Sequence, residues 1–197
     1  MEREYVTPTG APAAIEMWAM PKEDTAVTKL FDDYADAIRK PGSLADFASN
    51  SLTINTPHVG VFIPGGHGAM LGLPENKDLG KVLCWAHAKD MRIITLCHGP
   101  GTLMSAQDNE AFIFDSYKIA LFPDLVDKQT PMLGYLPGHM PYELGEKLKK
   151  LGLTIINKKA DDTCHIDRKL ITGASPMASN NLGRLAAESL LETVRQL

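Results

Sequence analysis

The sequence predicts an α/β fold in which helices cover both faces of a mainly parallel β-sheet. Short apolar runs rich in β-branched residues alternate along the chain with segments of helical period. These runs are too continuously apolar for half-exposed strands, which is typical of a parallel sheet. Glycine- or proline-containing turns and loops follow three of the runs, at the strand ends where such sheets place their active sites.

Each element is predicted from its apolar spacing and its end signals. The strands are predicted at residues 59–63, 92–96, 118–122 and 154–156, with a further strand or hairpin arm at 163–171. The helices are predicted at residues 23–39, 44–47, 74–90, 101–107, 142–150 and 176–195. Lys40-Pro41-Gly42 ends the first helix, and Ser175-Pro176 begins the last. Pro8, Gly10 and Pro12 predict irregular chain over residues 1–21.

Length and composition limit the classes of function. A chain of 197 residues with 44% hydrophobic and 22% charged residues predicts a single globular domain over residues 1–197. The net charge of −4 predicts no nucleic-acid partner, and no apolar run approaches the roughly 20 residues that span a bilayer. Three cysteines without a CxxC pair argue against a disulfide framework or a structural zinc site and predict a reducing, cytoplasmic location.

The stretch Arg92–Pro100 is the strongest candidate for chemistry. Its apolar strand ends abruptly in Cys97-His98-Gly99-Pro100, and a helical segment follows. A reactive side chain at a sharp strand-to-helix turn is typical of a nucleophile elbow, where backbone N–H groups favour a thiolate and an oxyanion. Taken alone, Cys97 is as readily interpreted as a buried core cysteine.

A thiol nucleophile needs a base, and the base needs an acceptor that orients it. His98 is the predicted base, and Asp124 or Asp127 in the next strand-end loop would orient it. The predicted oxyanion donors are the backbone N–H of His98 and one from Gly65-Gly66.

Two histidines are further candidates for the pocket. His67, in the glycine-rich turn, and His139 are predicted to line it. Gly65–Gly68 could instead cradle a phosphate, but it lacks the GxGxxG pattern and the Lys-Ser/Thr pair of phosphate loops. Cys164, in a turn with Asp161, Asp162 and His165, is a minor alternative as a metal site.

Six motifs together resemble a known family. Ile63–Gly68, Leu96–Pro100 and Lys169–Pro176 are similar to the ThiJ/PfpI superfamily. The resemblance narrows to the HchA-type heat-shock subfamily through the segments Trp18–Pro21, Phe122–Pro131 and Gly134–His139. It implies a flavodoxin-like three-layer sandwich with a mainly parallel sheet, like that of class I glutamine amidotransferases.

The resemblance implies a glutathione-independent glyoxalase III that converts methylglyoxal to lactate, a protein deglycase and a stress chaperone. By position, Cys97 would be the nucleophile, His98 its partner and Asp127, preferred to Asp124, the third member. The implied partners are small aldehydes, glycated proteins and unfolded clients, in a homodimer without a cofactor. A non-enzymatic holding chaperone and an amidase or peptidase of the same superfamily stay as alternatives.

The sequence departs from the subfamily pattern in two ways. Members begin with a further N-terminal region that holds the first strand of the sheet and a Glu that contacts the nucleophile, and we expect both to be missing here. The subfamily also has a metal site of two His and one carboxylate. Two of its ligands would lie in that region and Tyr34 occupies the third position, so we expect no such metal site.

Overall fold

The computed structural model describes residues 3–15, 20–108, 111–132, 134 and 138–196. The chain divides into two compact units, Met1–Thr56 and Pro57–Leu197. The single domain expected from the sequence stays a prediction. No helix in the described part of the chain is long and apolar enough to cross a membrane.

The first unit combines a two-stranded parallel sheet with two helices. Its elements are β1 (Val6–Thr7), α1 (Thr25–Arg39), β2 (Gly42–Ser43) and α2 (Leu44–Asn50). The Asp24 carboxylate accepts from the first backbone N–H groups of α1, and the Ser43 hydroxyl does the same for α2. Irregular chain was predicted where β1 lies, because two paired residues leave no alternating pattern to detect.

The second unit holds the main sheet. The strands of this unit are β3 (Gly60–Ile63), β4 (Arg92–Leu96), β5 (Lys118–Ile119), β6 (Thr154–Ile155), β7 (Cys164–Asp167) and β8 (Leu170–Gly173). Strands β5 and β6 pair with each other in a separate two-stranded sheet. Its α-helices are α3 (Lys77–Ala88), α4 (Asp124–Asp127), α5 (Leu144–Lys150) and α6 (Ser179–Arg195). Three 3-10 helices cover His67–Met70, Gly99–Ala106 and Pro176–Ala178.

The main sheet has the order β3-β4-β8-β7, in which β3, β4 and β8 are parallel and β7 is antiparallel to β8. Strand β4 has the predicted bounds, and the segment predicted as a strand or hairpin arm forms the hairpin β7–β8. The mainly parallel α/β sheet is confirmed.

Two predictions around residue 120 are wrong. The strand predicted over 118–122 pairs only at Lys118–Ile119, because the next backbone N–H groups donate to the side chains of Thr172 and Asn157. The predicted polar loop after it contains the one-turn helix α4.

Both faces of the main sheet are buried at its central strands, β4 and β8. Ile94 of β4 and Ile171 of β8 pack against Leu182 and Ala186 of α6. Ile93, which points to the opposite face, is only 1% exposed. Burying each such side chain contributes about 2 kcal/mol, so the strand that carries the Cys97 turn is firmly held.

Candidate active site

Cys97 lies at a strained turn directly after β4. Its φ of 61° is in the left-handed region, which L-residues with a Cβ rarely adopt. Two hydrogen bonds hold it there: Cys97 N–H donates to the Gly173 carbonyl at 2.8 Å, and Phe122 N–H donates to the Cys97 carbonyl at 3.0 Å. Backbone strain of this kind costs roughly 1–3 kcal/mol and is concentrated at functional sites.

The turn requires two glycines that let other backbone segments approach it. A Cβ on Gly65 would collide with the Leu96 carbonyl oxygen and lie 2.7 Å from the Cys97 Cβ. A Cβ on Gly99 would collide with the Thr95 hydroxyl. The Gly65 backbone therefore lies against Cys97, as the oxyanion prediction requires.

Gly66 differs from Gly65. Its φ is 92°, and no atom lies within 4 Å of where its Cβ would be. Gly66 is needed for the shape of the turn, whereas the close approach to Cys97 belongs to Gly65. The oxyanion role of both residues stays a prediction.

Cys97, His98 and Asp127 form one hydrogen-bonded chain. The Cys97 Sγ is 3.3 Å from His98 Nδ1, and His98 Nε2 is 3.0 and 2.9 Å from the two Asp127 carboxylate oxygens. All three residues are 5% exposed or less. The His98 ring also packs on Phe122, with ring centroids 4.8 Å apart. When His98 Nε2–H donates to Asp127, Nδ1 is directed at the sulfur, as nucleophile activation requires.

The electrostatics of His98 depend on its two partners. Burial lowers the pKa of His98, but the hydrogen bonds to Asp127 and Cys97 outweigh burial and raise that pKa to about 9. At neutral pH the ring is therefore an imidazolium beside the sulfur. It attracts negative charge and can donate a proton to an oxyanion that forms there.

His67 makes a contact that sequence reasoning missed. Its Nε2 is 3.3 Å from Asp127 Oδ1, and its ring centroid is 4.4 Å from that of His98. Burial and the nearby His98 charge lower the pKa of His67, although Asp127 opposes this. The glycine-rich turn placed His67 near the pocket, but nothing local indicated that it shares a carboxylate with His98.

The structure separates the two aspartates that the residue pattern left open. The Asp124 carboxylate accepts from the backbone N–H groups of Gly145 and Glu146, so it caps α5. Asp127, on the same one-turn helix, faces His98.

His139 lines a cavity of about 320 Å³ together with Asp127, Lys128 and Tyr142. That placement brings His139 to the edge of the active site, while its role in substrate binding stays a prediction. The segments 16–19 and 135–137, which hold parts of the family motifs including Trp18, lie outside the described residues.

Tyr34 does not fit the metal site that the resemblance implies. The Arg3 guanidinium lies 4.5 Å from the centroid of the Tyr34 ring, and the Tyr5 ring, tilted by 38°, has its centroid 6.2 Å from that of Tyr34. A cation already occupies the face of this ring, and neutral phenol is a poor substitute for a carboxylate ligand. In the described residues of the chain, the three groups close enough to share a metal are His67, His98 and Asp127.

Comparison with known proteins gives a consistent picture. The chain is 44% identical over 195 residues to the protein/nucleic acid deglycase HchA of Pseudomonas aeruginosa, covering 97% of this chain and 67% of that protein. It is 43% identical over 190 residues to the HchA of Escherichia coli, covering 96% of this chain and 66% of that protein. The chain thus spans about two thirds of the length of these relatives. No protein-family model matches it.

Solved structures show the same fold. A rapid encystment protein of Francisella tularensis matches with a TM-score of 0.76 at 22% identity, over 92% of this chain and 78% of that one. A glyoxalase III of Candida albicans matches with a TM-score of 0.73 at 19% identity, over 94% of this chain and 79% of that one.

Proposed function

The chain belongs to the HchA family of the ThiJ/PfpI superfamily, and we propose that it is a cysteine-dependent deglycase with glutathione-independent glyoxalase III activity. The observation that carries the proposal is the Cys97–His98–Asp127 chain, with Sγ 3.3 Å from an imidazole that Asp127 orients. A thiol held in this way at a backbone turn is equipped to add to a carbonyl carbon.

For methylglyoxal, the Cys97 sulfur adds to the aldehyde carbon and forms a hemithioacetal, while His98 gives a proton to the new oxyanion. The C1 proton then leaves to His98, which is now neutral, and an enediol forms. Protonation at C2 gives a lactoyl thioester of Cys97. Water hydrolyses the thioester, releasing lactate and the thiol, so the reaction adds one water and needs no oxidant or reductant.

The same thiol accounts for deglycation. An early adduct of methylglyoxal on a Cys, Lys or Arg side chain carries the former aldehyde carbon, bonded to the protein sulfur or nitrogen. Transfer of that carbon to the Cys97 sulfur frees the protein side chain and forms the hemithioacetal already described. Both activities therefore converge on one intermediate, and small aldehydes and glycated proteins are the proposed substrates.

The test is product formation by the purified chain. We expect lactate from methylglyoxal and release of free thiol from methylglyoxal-treated N-acetylcysteine, with loss of both in Cys97→Ala by at least about a thousandfold. Cys84→Ala is the matched control and should keep the wild-type rate. Equal turnover by wild type and Cys97→Ala would refute the proposal, as would the absence of any product from either substrate.

The proposal includes four finer points. We propose a homodimer, a cytoplasmic location supported by the three unpaired thiols, and holding of unfolded clients. Light scattering by a heat-denatured client, with and without the chain, measures the last point.

The net charge of −4 predicts no nucleic-acid partner, although the relatives' name includes nucleic acids. Deglycation of a methylglyoxal-treated guanine nucleotide tests that prediction.

A further inference from the structure

We propose that His67, His98 and Asp127 form a binding site for a divalent transition-metal cation such as Zn²⁺, which switches off the Cys97 site. Each residue offers one ligand atom, and the three atoms lie within 4.8 Å of one another. This site shares no residue with the one that the family resemblance implies, where the matching position is Tyr34. It goes beyond the proposed function because it concerns a ligand rather than a substrate.

The distances fit the coordination geometry of zinc. Metal–ligand bonds of roughly 2.0–2.2 Å in a tetrahedral site place neighbouring ligand atoms roughly 3.3–3.5 Å apart. Asp127 Oδ1 is 3.3 Å from His67 Nε2 and 3.0 Å from His98 Nε2. Of the three edges between the ligand atoms, the one from His67 to Asp127 is present, and the one from His98 to Asp127 must lengthen by a few tenths of an ångström. The two imidazole nitrogens are no more than 4.8 Å apart.

The ligand types and their exposure select the kind of cation. Two imidazole nitrogens with one carboxylate oxygen suit Zn²⁺, Co²⁺, Ni²⁺ or Cu²⁺ rather than Mg²⁺ or Ca²⁺, which prefer oxygen ligands. The His67 side chain is 32% exposed, whereas those of His98 and Asp127 are buried. His67 thus gives the cation a route from solvent, and a fourth position is left for water.

Cation binding and catalysis both use His98 Nε2, which either binds the metal or donates its N–H to Asp127. The cation replaces the proton that His98 Nε2 shares with Asp127, so one proton is released for each cation bound. The opposite nitrogen, Nδ1, still faces the Cys97 sulfur at 3.3 Å. With the cation on Nε2, the neutral ring keeps its remaining proton on Nδ1 and cannot accept another there during turnover. The bound metal therefore inhibits the enzyme without touching the sulfur.

Co²⁺ is the probe for a direct test, since its four-coordinate complexes absorb visible light. The experiment uses full-length Cys97→Ser, which removes the nearby thiolate as a competing ligand. We expect one equivalent of Co²⁺ to give this absorption and Zn²⁺ to abolish it. Adding His67→Gln should weaken Co²⁺ binding by at least about tenfold, and adding Asp127→Asn should do the same.

His165→Gln in the Cys97→Ser background is the matched control, because His165 follows Cys164 at the alternative metal site considered from the sequence and is not among the three grouped ligands. It should leave Co²⁺ binding unchanged. Absence of the absorption, or its loss in His165→Gln with retention in His67→Gln, would overturn the inference. Circular dichroism excludes misfolding of a variant.

The binding measurement needs no substrate, so its outcome is separate from that of the proposed function. In wild type we expect Zn²⁺ to inhibit lactate formation and a chelator to restore it. Inhibition without Co²⁺ binding in the Cys97→Ser variant would place the metal on the thiolate instead, and would also contradict the inference.

Discussion

The chain contains two Cys-His dipeptides, Cys97-His98 and Cys164-His165, whose side chains are arranged differently in the structure. In the first, the sulfur and the imidazole nitrogen are 3.3 Å apart. The second lies inside β7, where successive side chains point to opposite faces of the sheet. Cys164 packs against the core beneath α6, so His165 is directed to the other face. In this chain, adjacent Cys and His side chains therefore meet where the backbone leaves the strand conformation.

The backbones of Cys97 and Cys164 flank the same strand end, at Gly173. Cys97 N–H donates to the Gly173 carbonyl, and Cys164 is paired with Gly173 across the β7–β8 hairpin. Burial and the nearby Asp162 raise the pKa of Cys164, which keeps it a neutral thiol. In the described part of the chain, its S–H lies near the carbonyls of Asp162 and Ala178, at 3.6 and 3.7 Å. Among the residues that the structure describes, Cys164 thus has no imidazole or carboxylate as a hydrogen-bond partner.

The largest expected effect comes from removing the Asp127 carboxylate, which contacts His98 of the first pair. In Asp127→Asn the amide can donate to His98 Nε2, which turns the protonated nitrogen towards the sulfur and prevents it from acting as a base. We expect kcat/KM for methylglyoxal to fall about a hundredfold. Asp162→Asn, beside Cys164, should stay within about twofold of wild type. Equal effects of the two variants would show that the relay is not what distinguishes the pairs.

The next effect is a pH dependence of stability. The pKa of His98 is raised to about 9 from an unfolded value of 6.5, so the folded state binds this proton more tightly. Its contribution, at most about 3 kcal/mol, is complete below pH 6.5 and is lost as pH rises through 9. Urea unfolding from pH 6 to 10 should therefore show a steeper loss of stability for wild type than for His98→Gln. His165→Gln should follow wild type, and parallel curves for wild type and His98→Gln would contradict the assignment.

The smallest effect concerns the backbone that lies against Cys97. A methyl group on Gly65 must displace the Leu96 carbonyl or the Cys97 side chain. We expect Gly65→Ala to lower kcat/KM about tenfold by moving the nucleophile away from its oxyanion donors. Gly68→Ala is the matched control, since nothing lies within 4 Å of its Cβ position. A Gly65→Ala enzyme with wild-type activity would show that this close approach is not needed.

Local sequence signals were sufficient for the elements that carry the elbow. The apolar run Arg92–Leu96 defined β4 at its observed bounds. A parallel strand buried on both faces is a continuous apolar run, so its own residues are enough to predict it. The Cys97-His98-Gly99-Pro100 turn followed from the same stretch, since Gly99 weakens a strand and Pro100 has no N–H to donate to a β-ladder. The segments around residue 120 failed for the opposite reason: the Ala120 and Leu121 N–H groups bond to Thr172 and Asn157, far away in the chain.

The choice between the two aspartates shows where local reasoning ended. From the residue pattern alone Asp124 and Asp127 were equivalent, and only the family resemblance preferred Asp127. The structure places Asp127 on His98 and Asp124 on the N-terminus of α5. The two residues lie within one turn of α4, and their roles depend on which side of that turn faces His98 and which faces α5.

By itself, the sequence determined the α/β class, the strand that ends in Cys97 and the family of the chain, because these depend on local pattern and motif. Tertiary structure alone decided that Asp127 holds both His98 and His67, and that Cys164-His165 is not a second active site. Those outcomes depend on contacts across 29 and 60 residues of chain and on the positive φ of Cys97. Asp127 contacts His67 and His98 because the packing of α4 brings its carboxylate to both imidazoles.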